Sequence, residues 1–173
     1  MELGTLAVEP EQSDIVDIVQ NVIKEFEPRI VERRLDIAQN IPSEHIEAMV
    51  DPKLFRIVMQ NLIFNAIKYT PDEGRISLLM ERQESGYRIE VSDTGIGIPS
   101  SDKAQVFRKL FRADNARQLD AEGTGLGLYI VKNIMENSGG KVWFESEENK
   151  GTTFIVTFPI EGMKARKGVK TLG

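Results

Sequence analysis

Asn65 stands four residues after Asn61, and Lys68 and Tyr69 stand three and four residues after Asn65, so on a helix two amides, an ammonium and a phenol share one face. Burying such groups without partners is costly, so the face either meets water or lines a polar ligand site, and the spacing alone leaves both open. The opposite side, with Leu54, Val58, Leu62, Ile63 and Ala66, suits a core. A second string, Asp93-Thr94-Gly95-Ile96-Gly97-Ile98-Pro99, follows a β-rich run. Its glycines let the chain turn tightly and bring backbone close to a flat ligand, and Asp93 offers an acceptor to an exocyclic amine; alone, it also reads as an ordinary strand-to-loop turn. In a third, Gly123-Thr124-Gly125-Leu126-Gly127-Leu128, the chain enters a helix whose first amides and dipole favour phosphate oxygens. A hinge and a dinucleotide fingerprint are the other readings. The fingerprint belongs in the first turn of a parallel βαβ unit, whereas a hairpin follows this helix, and a P-loop would end in Gly-Lys-Ser or Gly-Lys-Thr.

The elements that must position these strings follow from periodicity and punctuation. Ser13 predicts the cap of a helix with apolar residues at Ile15, Val16, Val19, Val22, Ile23 and Phe26, interrupted at Pro28 and able to resume through Arg34. Leu35 to Ala38 and Ile46 to Val50 predict strands flanking the Asn40-Ile41-Pro42 turn. Asp51-Pro52 places a carboxylate N-cap and a first-turn proline at the start of the helix that carries Asn61 to Tyr69 and stops at Pro71. Arg75 to Glu81 and Tyr87 to Ser92 predict a hairpin around Glu84-Ser85-Gly86. From Asp93 to Gly127 the chain is glycine-rich and partly polar, broken by an amphipathic piece from Ala104 to Arg112. So long a loop inside a domain is usually functional, and Ser100 to Glu122, with many charges and few large apolar residues to pack, predicts a lid that is mobile without ligand. Leu126 to Asn137 predicts a helix ended by Ser138-Gly139-Gly140, and Lys141 to Glu145 with Thr152 to Pro159 a closing hairpin. Hairpin strands with helices inserted between them predict an α+β fold, with helices on one face of a mixed sheet.

The 173 residues suit one domain, and 40% hydrophobic content is enough for a core. A net charge of -5 with intermixed signs points away from nucleic acid as main partner. The absence of cysteine excludes disulfides and thiolate chemistry, and a single imidazole, His45, excludes a polyhistidine zinc site. No run approaches membrane-helix length and no signal peptide opens the chain, so the expectation is a soluble, cytoplasmic domain without membrane contact, a membrane anchor in a longer parent remaining open. Lys164, Arg166, Lys167 and Lys170 lie in a tail, residues 161–173, expected to be solvated and frayed.

Taken together and in this order, the three strings resemble the N, G1 and G2 boxes of the family that groups gyrase, the Hsp90 chaperones, histidine kinases and mismatch-repair ATPases. Asn61-Leu-Ile-Phe-Asn65-Ala-Ile-Lys68-Tyr69-Thr-Pro71 resembles the N box of sensor histidine kinases almost position for position, and Val106-Phe107-Arg108-Lys109-Leu110-Phe111-Arg112-Ala-Asp114 resembles their F box. The likeness runs from about Pro10 to Pro159. It implies the Bergerat ATP-binding fold, a two-layer α/β sandwich with a mostly antiparallel sheet, in a catalytic domain at residues 10–160. Residues 1–9 would then be the remnant of a linker. It also implies that Asn65 coordinates a magnesium ion bridging the ATP phosphates, with Asn61 close by, and that Lys68 and Arg112 contact phosphate. Tyr69 would lie along the nucleotide, Asp93 would read the adenine amine from a loop of Gly95, Gly97 and Ile98, and Thr152 would support adenine through water. Gly123, Thr124 and the amides of Gly125, Leu126, Gly127 and Leu128 would hold the phosphates. Phe107 and Phe111 are read either as a small core cluster or as nucleotide contacts.

Two departures stand out. Leu110 occupies a place where these kinases often have phenylalanine, and no phosphoacceptor motif (histidine, an acid, a basic residue, proline) is present. His45 is read as a plain surface or half-buried histidine, so the acceptor helices are expected upstream in a longer parent. Gyrase-type and chaperone-type relatives activate water with a glutamate four residues before the metal-binding asparagine; here that place holds Asn61, which is no base. An imidazole nucleophile brings its own lone pair and needs mainly positioning and charge neutralisation. The expectation is in-line transfer of the γ-phosphoryl group to a histidine of a partner domain, with ADP as product, a response-regulator receiver domain served indirectly, and a monomer when isolated. The rival readings are an ATP-hydrolysing machine, a serine kinase of the anti-sigma-factor type, and a catalytically silent nucleotide-binding module.

Overall fold

Asp14, rather than the expected Ser13, caps the first helix. Its Oδ1 accepts the amides of Val16 at 3.0 Å and Asp17 at 3.3 Å, and α1 then runs unbroken over Ile15–Glu32. In this computed structural model, which describes residues 6–119 and 123–168, Pro28 sits inside α1 without ending it. Lys24 and Pro28 are both exposed, so the carbonyl deprived of its amide partner faces water, which is where a helix tolerates proline best. The second helix, α2 over Pro52–Tyr69, starts as expected: Asp51 Oδ1 accepts the amides of Lys53 and Leu54, each at 3.1 Å. The two helices lie side by side and run the same way. Glu25 meets Arg56 and Gln60, Phe26 meets Phe64 at a centroid distance of 6.0 Å, and Arg33 donates to the Ile67 carbonyl and, at 2.6 Å, to that of Thr70.

Among the described residues the strands form two sheets. β1 (Glu11–Asp14), which periodicity did not reveal, pairs antiparallel with β3 (Glu47–Val50). The larger sheet has the order β2-β4-β5-β7-β6, from β2 (Asp36–Asn40), β4 (Arg75–Gln83), β5 (Gly86–Asp93), β6 (Lys141–Glu147) and β7 (Gly151–Pro159). Only β2 with β4 is parallel. The two apolar pieces around Asn40-Ile41-Pro42 therefore belong to different sheets. Ile76, Leu78 and Met80 alternate as buried residues on β4, as do Tyr87, Ile89 and Val91 on β5, and Phe154, Val156 and Phe158 do so on β7. Helices cover this apolar side: Phe55 of α2 meets Phe158 edge-on at 5.8 Å, and α4 (Gly127–Asn137) buries Val131, Ile134 and Met135.

Between β5 and α4 the expected amphipathic piece is only a 3-10 turn, Lys103–Gln105, followed by an unanticipated short helix, α3 (Asp114–Leu119). Asp102 Oδ2 receives the Asp114 amide at 3.1 Å. Val106 and Ala113 are buried, so this segment packs more than its charge suggested; Asp120, Ala121 and Glu122 of the expected lid lie outside the described residues. The chain ends also differ from expectation. Val8 is buried and exchanges two backbone hydrogen bonds with Arg166, at 2.8 and 2.9 Å, while Met163 is buried with its amide on the Met49 carbonyl at 2.7 Å. Residues 6–9 and 162–166 are thus built into the fold; residues 1–5 and 169–173, including Lys170, lie outside the described residues.

Candidate functional site

One cleft of about 650 Å³ collects nearly every residue singled out above. Helix α2 supplies Asn61, Asn65, Lys68 and Tyr69, and the loop after β5 supplies Asp93, Gly97 and Ile98. Gly123, Thr124, Gly125, Gly127 and Leu128 approach from the start of α4, joined by Phe111, Arg112 and Thr152. Gly95 and Leu126 do not line the cleft. Gly95 donates its amide to Asp93 Oδ1 at 2.8 Å, and Leu126 is the residue capping α4, its amide 3.4 Å from Thr124 Oγ1.

At one end lies Asp93. Its Oδ1 takes the Gly95 amide and, at 3.3 Å, the Thr152 amide; no hydrogen bond is made to Oδ2 among the described residues. Burial pushes the carboxyl up to about 6, and the two amides oppose that rise without cancelling it. The loop beyond Asp93 is shaped by Gly97, at φ +64°, where a Cβ would stand 2.0 Å from the Glu147 carbonyl oxygen, a conformation and a closeness only glycine tolerates.

The other end joins α2 to α4. Asn61 donates Nδ2 to the Ile57 carbonyl at 2.8 Å, which turns Oδ1 toward Gly127, where a Cβ would lie 2.5 Å from it. Asn65, one turn on, makes no side-chain hydrogen bond among the described residues. Lys68 Nζ sits 5.4 Å from the centroid of Tyr69 and 5.7 Å from that of Phe64. Arg112 donates to the Ala116 carbonyl at 3.2 Å, and Gly123 abuts its guanidinium. Gly125, at φ +66°, turns the backbone beneath Leu110 and Phe111, delivering the first amides of α4 to the cleft. Cations, amide oxygens and a helix N-terminus therefore meet at this end, while a carboxylate in a largely apolar wall marks the other. No group of three or more His, Asp or Glu converges among the described residues. A cation here would rest on an amide oxygen plus oxygens of its ligand and water, a donor set that suits magnesium.

Phe107 belongs to a ring cluster with Phe144 at 5.7 Å and Phe154 at 6.4 Å, so the core reading holds for it, whereas Phe111 borders the cleft. His45 is 86% exposed, lies against Asp14 and is absent from the cleft lining. Sequence reasoning missed Ser146, Asn115 and Arg29. Ser146 accepts the Ile98 amide at 2.9 Å; its only signal was a hydroxyl on a strand, legible once the register opposite Thr152 is known. Asn115 donates to the Gly97 carbonyl at 3.0 Å and leaves a buried Oδ1 without a partner. Arg29 stacks over Phe64 at 5.4 Å, a contact that the parallel packing of α1 on α2 creates.

Residues 50–162 match the family described as histidine kinase-, DNA gyrase B-, and HSP90-like ATPase. The sensor histidine kinase WalK of Bacillus subtilis is 36% identical over 149 residues, which is 85% of this chain and 24% of that protein. The adaptive-response sensory kinase SasA of a Synechococcus strain is 38% identical over 160 residues, 92% of this chain and 41% of that protein. This chain therefore spans less than half the length of either relative. Among solved structures, a nucleotide-free catalytic domain of the histidine kinase ThkA superposes with a TM-score of 0.74 at 30% identity, covering 88% of this chain and 98% of that one. ThkA has also been solved in complex with the response regulator protein TrrA.

Proposed function

Because this chain belongs to the histidine kinase-, DNA gyrase B- and HSP90-like ATPases, and within them to the catalytic domains of sensor histidine kinases, we propose that it binds magnesium-ATP and transfers the γ-phosphoryl group to a histidine on a separate helical domain. The observation that carries this reading is the convergence of Asn65, Lys68, Arg112 and the α4 N-terminus at one end of a cleft whose other end is Asp93. When bound, magnesium would supply positive charge that neutralises the phosphates. Asn65 Oδ1 would hold the ion, Lys68 and Arg112 would face the phosphates, and the first amides of α4 would orient them. Tyr69 would flank the nucleotide, with Asp93 and Thr152 at the base. Asn61, with Nδ2 committed to the Ile57 carbonyl, has no group able to deprotonate water, which favours a nucleophile that needs no base.

An imidazole meets that requirement, and His45 lies away from the cleft, so the acceptor is a partner's. We place the domain in the cytoplasm, where ATP is available, with phosphoacceptor helices as direct partner and a response regulator downstream, as the TrrA complex of ThkA suggests. Among the described residues no helix is long and apolar enough to cross a membrane. The test mixes the chain with a histidine-bearing helical domain and labelled ATP. A phosphoprotein labile in acid and stable in base is expected. An acid-stable product would contradict histidine transfer, and magnesium-dependent binding without any transfer would leave a nucleotide-binding module.

A further inference from the structure

At the Asp93 end of the cleft, two hydroxyls have their proton directions fixed by their surroundings. Ser146 of β6 faces Thr152 of β7 in register, with Oγ and Oγ1 2.8 Å apart. Ser146 Oγ also lies 3.0 Å from the Gly151 carbonyl oxygen and 2.9 Å from the Ile98 amide nitrogen. A serine hydroxyl has one proton and two lone pairs. The carbonyl of Gly151 can only accept, so the Ser146 proton goes there. The amide of Ile98 can only donate, so it takes one lone pair. What remains on Ser146 is a single lone pair, and the contact with Thr152 must use it: Thr152 donates. Buried at 6% exposure, Thr152 therefore has no proton left for a ligand. Asp93 beside it is an acceptor as well, with Oδ1 taken by two backbone amides and Oδ2 left over.

Resting on the nucleotide reading above, we propose that Ser146 sets the base specificity of the cleft: by engaging the Thr152 proton it makes Asp93 and Thr152 an acceptor-only wall, which accepts an exocyclic amine and rejects a base carbonyl. Ser146 acts through Thr152, so it is a positioning residue. An adenine edge presents an amine with two hydrogens to such a wall, whereas guanine presents an oxygen at the same place. Acceptor against acceptor in a buried site leaves both groups unpaired, a discrimination on the order of a hundredfold or more in favour of ATP.

The test measures dissociation constants of magnesium-ATP and magnesium-GTP at pH 8, where Asp93 is ionised, for the wild type, Ser146→Ala and Ser146→Thr. In Ser146→Ala the freed Thr152 hydroxyl can turn and donate, so the GTP-to-ATP ratio of dissociation constants should fall about tenfold, while Ser146→Thr should keep it. A purely structural Ser146, holding only the Ile98 amide, would weaken both nucleotides alike; an unchanged ratio overturns the proposal. Should Ser146→Ala fail to fold, neutron diffraction from the deuterated wild type decides. A deuteron on Thr152 Oγ1 pointing at Ser146 Oγ supports the assignment; one donated by Ser146 to Thr152, or pointing from Thr152 into the cleft, overturns it. A wild type that binds neither nucleotide would instead overturn the nucleotide reading itself.

Discussion

Asp93 is a carboxylate held where charge is disfavoured, and that conflict is measurable. Its folded value of about 6 lies above the ordinary 3.8, because burial outweighs the amides of Gly95 and Thr152. A group raised in this way favours the folded state fully below its unfolded value, and the benefit is lost as pH rises through about 6. Ligand-free protein should therefore lose about 2–3 kcal/mol between pH 4 and pH 7 from this residue alone. Asp93→Asn keeps an oxygen for the two amides and removes the charge. It should raise the urea midpoint at pH 8 and leave it nearly unchanged at pH 4, while ATP affinity falls at pH 8 and changes little at pH 4, where the wild-type carboxyl is protonated too. In the wild type, ATP should bind more weakly as pH drops below 6, where the ionised acceptor is lost. A midpoint that Asp93→Asn lowers at pH 8 would mean that the carboxylate is structural. At the other end of the cleft, Asn65→Ala should abolish the extra affinity that magnesium confers, about ten- to hundredfold, and spare magnesium-free binding. Titration with and without the ion reads the difference. Asn61, Asn65, Lys68 and Asp93 were legible in the sequence because local spacing and their place in the three strings expose them. Ser146 and Asn115 were not, since each acts through a partner about fifty or twenty residues away, at Ile98 and Gly97, that only strand register and the α3 turn bring near.

Among the elements, α2 and α4 were readable because cap, proline and glycine signals agree with the apolar period. The failures are equally physical. Pro28 reads as a breaker unless its side of the helix is known to face water, and β1 is four polar residues that pair only because β3 lies beside them. The segment between β5 and α4 shows a division that charge content hid. Its root is fixed by Phe107 within the Phe144 and Phe154 cluster and by buried Val106. Beyond the root, Leu110 is 62% exposed at φ +62°, a left-handed conformation unfavourable for leucine, and Leu119 is 56% exposed. Hydrogen exchange should accordingly be slow at Val106, Phe107 and buried Ala113 and faster over the more exposed stretches from Arg108 to Leu110 and from Asp114 to Leu119. Adding ATP with magnesium should slow the second group by about tenfold, as closure over a ligand requires. Equal exchange in both groups, or no change on adding nucleotide, would remove the lid assignment.

At the scale of the molecule, the fold class followed from the order of elements and the meeting of the three strings in a cleft from their resemblance to the N, G1 and G2 boxes, whereas the closure of the chain ends did not, because no periodic pattern marks it. The two end segments are held at three points. Glu9 donates its amide to Asp51 Oδ2 at 2.9 Å, on the carboxylate that caps α2; Val8 pairs with Arg166; and the Lys164 amide reaches the Ser138 carbonyl, at 2.8 Å, where α4 ends. Both helices that carry the cleft are thus tied, at the ends away from it, to the two termini. Ending the chain after Glu161 would delete the buried Met163 side chain, worth about 1.5–3 kcal/mol, and strip the backbone of buried Val8 of its two hydrogen bonds to Arg166, together a large part of what holds a domain of this size together. The urea midpoint should drop sharply with little change in its slope, while the folded fraction binds ATP within about twofold of the full chain, because no cleft residue is lost. If ATP affinity fell as steeply as stability, the terminal pairing would be acting on α2 and α4 in the folded state and not only through the fold's total stability. A response of that kind would make the incoming segment a lever on the cleft, since whatever pulls on Val8 and Glu9 would pull on the cap of the helix that carries Asn65.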